Sequence, residues 1–137
     1  AFDSNYRPKL WADAATARTV IARAWALADI ALPSVDDEMA LFGDADAAAV
    51  LARLGPREGA LKRGAEGPLA LRPGVTAPAF APAERVVDTT AAGDSFNGGF
   101  LAALAMGADT AQAMAAGHAL ARQVVGLPGA IVATPEV

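Results

Sequence analysis

Residues 86–100 read VVDTTAAGDSFNGGF, and this stretch is the most informative about the fold. The β-branched pair Val86-Val87 predicts the end of a strand, and the apolar spacing from Phe96 onward predicts a helix. Between them lies a turn of small residues, 89–93, which would let the backbone approach a ligand closely. A strand that enters a helix through such a turn is typical of α/β proteins.

The turn around Gly93 is a candidate anion site. The first N–H groups of a helix lack intrahelical partners and lie at the positive end of the helix dipole, so a phosphate is the expected guest. At the mouth of such a site the carboxylate of Asp94 would repel a resting phosphate, unless it takes a proton from an incoming hydroxyl as a general base. The residues alone slightly favour the alternative, in which Asp94 caps the helix and Gly93 eases a tight turn.

The rest of the chain alternates short apolar runs with amphipathic segments. The predicted elements are a helix capped by Asp13 with Val20, Ile21, Ala24 and Leu27 on its apolar face, a buried strand at 30–32, a helix ending at Gly43, a helix from Asp44 to Leu54, a strand at 59–62 weakened by Gly59, a return strand at 69–71, an exposed connection at 72–85 and a helix pair within 100–121. This alternation predicts a three-layer α/β fold with a mostly parallel sheet.

Composition restricts the class of protein. The 137 residues carry a net charge of −4, so no electrostatic footprint for nucleic acid or for an anionic membrane surface is present, and any phosphate must be held locally. Cysteine is absent, which excludes disulfides and thiolate metal sites. The N-terminus lacks the basic and apolar regions of a signal peptide, which predicts a cytoplasmic location.

Residues 88–96, DTTAAGDSF, resemble the C-terminal motif Asp-Thr-x-Gly-Ala-Gly-Asp-x-Phe of the ribokinase/PfkB sugar kinases. In that family the motif forms an anion hole and ends in the catalytic base, which implies that Ala91, Ala92, Gly93 and Asp94 are the catalytic residues here. Ala91 stands where the family usually has glycine, so a positive φ at this position would cost stability. The resemblance covers almost the whole chain.

The resemblance implies a ribokinase-like fold in which residues 1–137 form the single C-terminal nucleotide-binding and catalytic part, while the N-terminal part and the lid strands lie outside this chain. Dimerisation through such a lid is common in the family, which leaves a homodimer open. The implied partners are therefore small molecules, a sugar acid and ATP, with no nucleic acid and no membrane.

Residues 2–11, FDSNYRPKLW, and 32–38, LPSVDDE, are similar to segments typical of 2-keto-3-deoxygluconate kinases within the family. This implies phosphorylation of a sugar-acid hydroxyl, converting 2-keto-3-deoxygluconate to its 6-phosphate, with ATP and Mg²⁺. Arg7 is implied to hold the sugar acid, and a planar guanidinium suits a carboxylate because the two can pair through two hydrogen bonds. The alternative for Arg7 is a surface arginine before a proline.

The resemblance also implies a set of nucleotide-binding residues: Ser34, Lys62, Gly64, Gly67, Gly93 and His118. The segment 62–67, KRGAEG, matches the family's nucleotide-side turn, although taken alone it is only a turn. His118 matches a position that touches adenine, and the alternative is a half-buried packing residue. Ser34 and Asp37 fall where many members have Asn-x-x-Glu, and a helix cap with a solvated acidic first turn is equally favoured.

Several alternatives stay open. Asp88 and Thr90 match positions that bind a monovalent cation in part of the family, whereas the residues themselves favour bonding within the turn's backbone. The substrate could instead be a neutral sugar such as ribose or fructose, or a nucleoside. From a different class, the chain could be a non-catalytic nucleotide-binding or sugar-sensing domain.

Overall fold

The computed structural model describes residues 1–130, which belong to two compact units. The first unit comprises residues 1–63 and 69–75, and the described part of the second comprises residues 64–68 and 76–130. The helices and strands are α1 (Ala14–Leu27), β1 (Ile30–Ala31), α2 (Val35–Phe42), α3 (Ala47–Leu54), β2 (Glu58–Leu61), β3 (Leu69–Ala70), α4 (Ala92–Ala105) and α5 (Thr110–Val125), with 3-10 turns at Pro8–Leu10 and Gly64–Glu66. That residues 1–137 form one catalytic part stays a prediction.

Helix ends in the first unit follow local capping chemistry. The carboxylate of Asp13 accepts a hydrogen bond from the N–H of Thr16 at 2.7 Å and caps α1, as predicted. The predicted start of α3 at Asp44 is two residues early, because Asp46 supplies the cap. Gly43 ends α2 with φ 78°, a left-handed conformation in which glycine is the least strained residue.

The buried face of α1 differs from the predicted one. Ala17, Ile21 and Trp25 are buried at spacing i, i+4, i+8, whereas Val20 and Leu27 are 50% and 76% exposed. The prediction that Val20 and Leu27 share the core-facing side was therefore wrong. The side of α1 that carries Ile21 and the indole of Trp25 faces the core instead, because it buries more apolar area.

The first unit contains a small three-stranded sheet in the order β1-β2-β3. The pair β1/β2 is parallel and the pair β2/β3 is antiparallel, so the predicted return strand is confirmed. Phe2 extends the parallel part through an isolated bridge to Ala31. Gly59, which weakened the strand prediction, is required here because a Cβ at this position would lie 1.9 Å from the carbonyl oxygen of Ala31.

The second unit is built on the predicted helix pair, α4 and α5. Small residues let the two backbones approach closely: a Cβ on Gly117 would lie 2.7 Å from the carbonyl oxygen of Phe96, and one on Gly99 would lie 3.0 Å from that of Ala116. Phe96 and Phe100 are buried and stack with ring centroids 6.0 Å apart. None of the helices within residues 1–130 is long and apolar enough to cross a membrane.

The connection that leads into α4 has no helix or strand from residue 71 to residue 91, which confirms the predicted exposed connection at 72–85. The strand predicted at Val86-Val87 is wrong. The N–H of Val87 donates instead to the carbonyl oxygen of Val125 at 2.7 Å, at the end of α5. A β-branched pair forms a strand only where a neighbouring strand supplies the ladder, and within residues 1–130 none pairs with it.

Candidate active site

The turn before α4 is shaped by a left-handed alanine. Ala91 occupies the N-cap position with φ 60° and ψ 11°, so the positive φ considered from the sequence is present. A residue with a Cβ pays for this conformation, whereas glycine does not. The turn closes through the N–H of Ala92, which donates to the carbonyl oxygen of Thr89 at 3.2 Å.

Backbone donors at the start of α4 are the second feature of this turn. The first helical hydrogen bond runs from the N–H of Ser95 to the carbonyl oxygen of Ala91 at 2.8 Å. The N–H groups of Gly93 and Asp94 lie before it in the first turn, and in the described part of the chain neither has a partner. The turn therefore presents two donors at the positive end of the helix dipole, which suits an oxyanion.

Asp94 lies beside these donors with its side chain in solvent. Its carboxylate takes part in no hydrogen bond or ion pair within residues 1–130. The alternative that Asp94 caps the helix is not what the structure shows, because Ala91 has the N-cap position and Asp94 is the third residue of α4. An exposed carboxylate at this place can accept a proton from a hydroxyl brought to the turn.

A cavity of about 240 Å³ lies within the second unit. Its walls come from the 3-10 turn, the connection before α4 and one side of α5: Gly64, Ala65, Pro82, Ala83, Val86, Thr89, Ala92, His118, Ala121, Arg122 and Val125. Most of these walls are apolar, with a few polar groups at defined places, as in many small-molecule sites. Among the predicted residues, Gly64, Ala92 and His118 line it.

His118 is at once a packing residue and a wall of the cavity. Its Nε2 lies 2.8 Å from the carbonyl oxygen of Ala81, and because a carbonyl can only accept, Nε2 must carry the proton. Its ring packs at a tilt on Phe80, with centroids 5.0 Å apart. Gly67 lies beneath Phe80, since a Cβ there would approach the Cβ of Phe80 to 2.5 Å. Gly67 thus leaves room for Phe80 and is not among the residues that line the cavity.

The carboxylate of Asp88 accepts hydrogen bonds from two backbone N–H groups of the second unit. Its Oδ1 accepts from the N–H of Thr90 at 2.8 Å and its Oδ2 from the N–H of Gly129 at 3.1 Å. The hydrogen bonds from Thr90 lower the pKa of Asp88, and the one from Gly129 adds to that shift. This is the arrangement that the residues alone favoured over a cation site.

Arg7 belongs to a polar cluster in the first unit. Its Nη1 donates to the carbonyl oxygen of Tyr6 at 3.1 Å and lies 3.6 Å from Oδ1 of Asp37, while 58% of the side chain stays exposed. Burial raises the pKa of Asp37, and the positive charge of Arg7 opposes that rise. The guanidinium is thus oriented by protein groups and still open to an anion from solvent.

Ser34 and Lys62 pair through their backbones in the same unit. The N–H of Val35 donates to the carbonyl oxygen of Lys62 at 2.9 Å, and that of Lys62 to the carbonyl oxygen of Pro33 at 2.8 Å. Ser34 has the N-cap position of α2, although its side chain makes no capping hydrogen bond. The ammonium of Lys62 forms an ion pair with Asp3.

Glu38 is a buried charged residue that was not among the site residues predicted from the sequence. It is fully buried, and its carboxylate accepts from Oγ of Ser4 at 2.6 Å and from Nη2 of Arg53 at 2.8 Å. The solvated acidic first turn considered for α2 therefore does not describe Glu38. Its spacing of three residues from the buried Leu41 was a signal that could have placed it on the inner face.

The two units hold different parts of the predicted set. The first unit brings together Arg7, Ser34 and Lys62 with the acids Asp3 and Asp37. The second holds the turn and the cavity: Gly64, Gly67, Ala91, Ala92, Gly93, Asp94 and His118.

Known proteins resemble the chain over its whole length. The model of the pfkB family carbohydrate kinases matches residues 1–137. The chain is 41% identical to 2-dehydro-3-deoxygluconokinase of Escherichia coli K12, covering 96% of the chain and 45% of that protein. It spans less than half the length of the curated relatives it matches first.

Two solved structures show the same architecture. Aminoimidazole riboside kinase from Salmonella enterica, complexed with aminoimidazole riboside and an ATP analog, matches with a TM-score of 0.78 and 33% identity over 94% of this chain and 46% of that one. A putative ribokinase II from E. coli, in complex with ATP and Mg²⁺, matches with a TM-score of 0.77 and 26% identity over 95% and 43%. Together with the family match, these likenesses establish the predicted ribokinase-like fold, and the chain belongs to the PfkB family of carbohydrate kinases.

Proposed function

We propose that the full-length gene product containing this chain transfers the γ-phosphoryl group of ATP to a hydroxyl of a sugar acid. The proposed substrate is 2-keto-3-deoxygluconate, also called 2-dehydro-3-deoxygluconate, and the product is its 6-phosphate. The observation that carries the proposal is the exposed Asp94 beside the N–H groups of Gly93 and Asp94, which lie in the first turn of α4 and have no partner among residues 1–130. The 41% identity to a 2-dehydro-3-deoxygluconokinase supports the choice of substrate.

In the proposed reaction, Asp94 takes the proton from the terminal hydroxyl as the oxygen of that hydroxyl attacks the γ-phosphorus. The bond between the γ-phosphorus and the β,γ-bridging oxygen breaks, and ADP leaves with the electron pair. The N–H groups of Gly93 and Asp94 donate to the oxygens of the moving phosphoryl group, whose charge they offset. Ala92 has a different part from the one first predicted, because its N–H is used in closing the turn with Thr89. The chain thus supplies alignment, a base and fixed donors, which are the main demands of phosphoryl transfer.

ATP is proposed to place its adenine in the cavity of the second unit. Apolar walls suit the faces of a purine, and His118 and Arg122 are polar groups on its border. The donors at the turn are N–H groups, which bind phosphate oxygens and not cations. Mg²⁺ therefore fits as a companion of ATP, held by phosphate oxygens and water, and it would offset phosphate charge there.

Arg7 is proposed to bind the carboxylate of the sugar acid. Its exposed guanidinium can offer two parallel N–H donors to a carboxylate, and Asp37 and the carbonyl of Tyr6 keep its orientation. A lysine could not reproduce this forked contact.

The nearest alternative is a kinase of the same family that acts on a neutral sugar or a nucleoside, which the 33% identity to an aminoimidazole riboside kinase favours. A panel of acceptors with ATP separates the two, using the full-length gene product. We expect kcat/KM to be highest for 2-keto-3-deoxygluconate, and Arg7→Ala to raise the KM for this acid without changing the KM for ATP. Higher kcat/KM with ribose, fructose or a nucleoside would refute the choice of substrate.

Turnover of any acceptor would exclude the non-catalytic alternative, a nucleotide-binding or sugar-sensing domain. A monovalent cation near Asp88 and Thr90, a homodimer and a cytoplasmic location stay predictions. The first of these is tested by measuring kcat with and without K⁺.

A further inference from the structure

Three side-chain contacts with residues outside the loop fix the loop from Asp3 to Arg7. One of these contacts is made by the fully buried carboxylate of Glu38. Asp3 pairs with Lys62 at the end of β2, and Arg7 faces Asp37 in the first turn of α2. Between them, Oγ of Ser4 donates to Oε1 of Glu38 at 2.6 Å. The loop therefore has its position set by groups far from it in the sequence.

Glu38 is itself held by an ion pair with Arg53, which also pairs with Asp44. Its other oxygen, Oε2, accepts from Nη2 of Arg53 at 2.8 Å, and Arg53 also pairs with Asp44 at 2.6 Å. The guanidinium lies 3.8 Å from the centroid of the Phe42 ring. Burial alone would lower the pKa of Arg53, but the hydrogen bonds to Asp44 and Glu38 outweigh it and raise that pKa. Glu38 thus stays in one place, with a compensated charge.

The loop that Glu38 holds contains a residue, Asn5, with an uncommon backbone conformation. Asn5 has φ 38°, a left-handed value for a residue that carries a Cβ, and its N–H donates to Oδ1 of Asp3 at 3.3 Å. Asparagine adopts this region more readily than most residues that carry a Cβ, and contacts of the neighbouring Ser4 and Arg7 hold the loop on either side of it. Asn5 lies between Ser4 and Arg7, so a change in the hold on Ser4 passes to the backbone that carries the arginine.

We infer that Glu38 and Ser4 are positioning residues for the sugar acid: their hydrogen bond sets the place of the Arg7 guanidinium and hence the affinity for an acidic substrate. The inference rests on the proposed function, in which Arg7 binds the carboxylate. Neither residue needs to touch the substrate. The physical reason is that a bidentate contact tolerates little displacement of its donor.

The test uses Ser4→Ala in the full-length gene product, because replacing Glu38 itself would leave the guanidinium of Arg53 partly uncompensated. Ser4→Ala removes one hydroxyl and keeps both charges. We expect the KM for 2-keto-3-deoxygluconate to rise by about 10-fold to 100-fold, the range for a small misplacement of a binding group, while kcat at saturation and the KM for ATP stay within about twofold. Ser4→Thr, which keeps the hydroxyl, should restore the KM.

A matched control is Asp109→Ala, which removes the cap of α5 in the second unit and lowers stability without touching the loop, Glu38 or Arg53. We expect it to lower Tm at least as much as Ser4→Ala does and to leave the KM for the acid unchanged. An equal rise in KM with Asp109→Ala would show that Ser4→Ala acts through stability alone, and the inference would be wrong.

The double variant Arg7→Ala/Ser4→Ala separates this inference from the proposed function. If Ser4 acts through Arg7, adding Ser4→Ala to Arg7→Ala changes the KM no further, whereas independent effects would multiply. A multiplicative result, or no effect of Ser4→Ala alone, overturns the positioning role and leaves the proposed function standing. An unchanged KM in Arg7→Ala overturns the proposed role of Arg7 and the inference with it. No phosphorylation of the acid by the unaltered protein overturns the proposed function itself.

Discussion

Ala91 has a strained backbone conformation at the start of the candidate active site. Its φ of 60° is the conformation in which glycine costs least, yet the residue carries a Cβ. This left-handed residue opens α4, whose N–H groups at Gly93 and Asp94 have no partner within residues 1–130. A left-handed alanine costs about 1–2 kcal/mol, so this single methyl group has a measurable effect.

We expect Ala91→Gly to stabilise the fold. Glycine removes the left-handed cost of about 1–2 kcal/mol, while its greater freedom in the unfolded chain costs about 0.4–1 kcal/mol. The net gain should therefore be up to about 1.6 kcal/mol, and about 0.8 kcal/mol at the middle of both ranges. Urea unfolding measures it. Ala102→Gly, at an exposed position inside α4, is the matched control and should lose about 1 kcal/mol. A loss of similar size in Ala91→Gly would contradict the strain described for this turn.

A pH dependence follows from Asp88. Its folded-state pKa lies below the ordinary 3.8 because Thr90 and Gly129 donate hydrogen bonds to its carboxylate. The charged form therefore stabilises the fold above this ordinary value, and the contribution is lost as the pH falls through the lowered pKa. Following the side-chain carboxyl carbon of Asp88 by NMR from about pH 6 to 2 should give a midpoint below 3.8. A midpoint at or above that value would show that these bonds do not form in solution.

Residues differ in how far the sequence could predict them. Asp94 could be predicted from the sequence as a site residue, because a small-residue turn and a helix start are local features. Glu38 was not, because its buried charge depends on Ser4, 34 positions earlier, and on Arg53, 15 positions later, which only the folded chain brings to it.

At the scale of elements, the contact between α4 and α5 depends on glycine. A Cβ on Gly117 would lie 2.7 Å from the carbonyl oxygen of Phe96, whereas a Cβ on Gly98 would meet nothing within 4 Å. Replacing Gly117 or Gly98 by alanine therefore changes helix propensity in both cases, but creates a steric clash between the helices only at Gly117.

We expect Gly117→Ala to destabilise the fold, although alanine favours a helix by about 1 kcal/mol over glycine, because the helices must separate to admit the methyl group. Gly98→Ala should stabilise by up to about 1 kcal/mol, since only the propensity changes. The free energies of unfolding of the two variants check this. Equal stabilisation in both would mean that α4 and α5 do not pack as described.

Elements bounded by side-chain chemistry were the easiest to predict. Asp13 and Gly43 mark helix ends through bonds and conformations that involve only neighbouring residues. Val86-Val87 failed as a strand because strand formation needs a partner that local pattern does not reveal. The buried row of α1 failed in the same way, since packing against the core decided between two apolar rows.

For the whole molecule, the alternation of short strands and helices was enough to predict an α/β fold, whereas the family was predicted from the resemblance of residues 88–96 to a kinase motif. The division into two compact units was not predicted, because it depends on which distant segments pack together. Each unit supplies one chemical requirement of the proposed reaction: a guanidinium for a carboxylate in the first, and a base with backbone donors in the second.

The central claim concerns the whole reaction, and Asp94→Asn tests it most directly. Rapid-quench single turnover of the full-length gene product, with bound ATP and saturating 2-keto-3-deoxygluconate, measures the phosphoryl-transfer rate. Asp36→Asn, which changes another exposed acid in the first turn of a helix, is the control. We predict a rate lower by about 10² to 10⁴ in Asp94→Asn, with ATP affinity unchanged and the control at the unaltered rate. A transfer rate in Asp94→Asn equal to that of the unaltered protein would contradict the account.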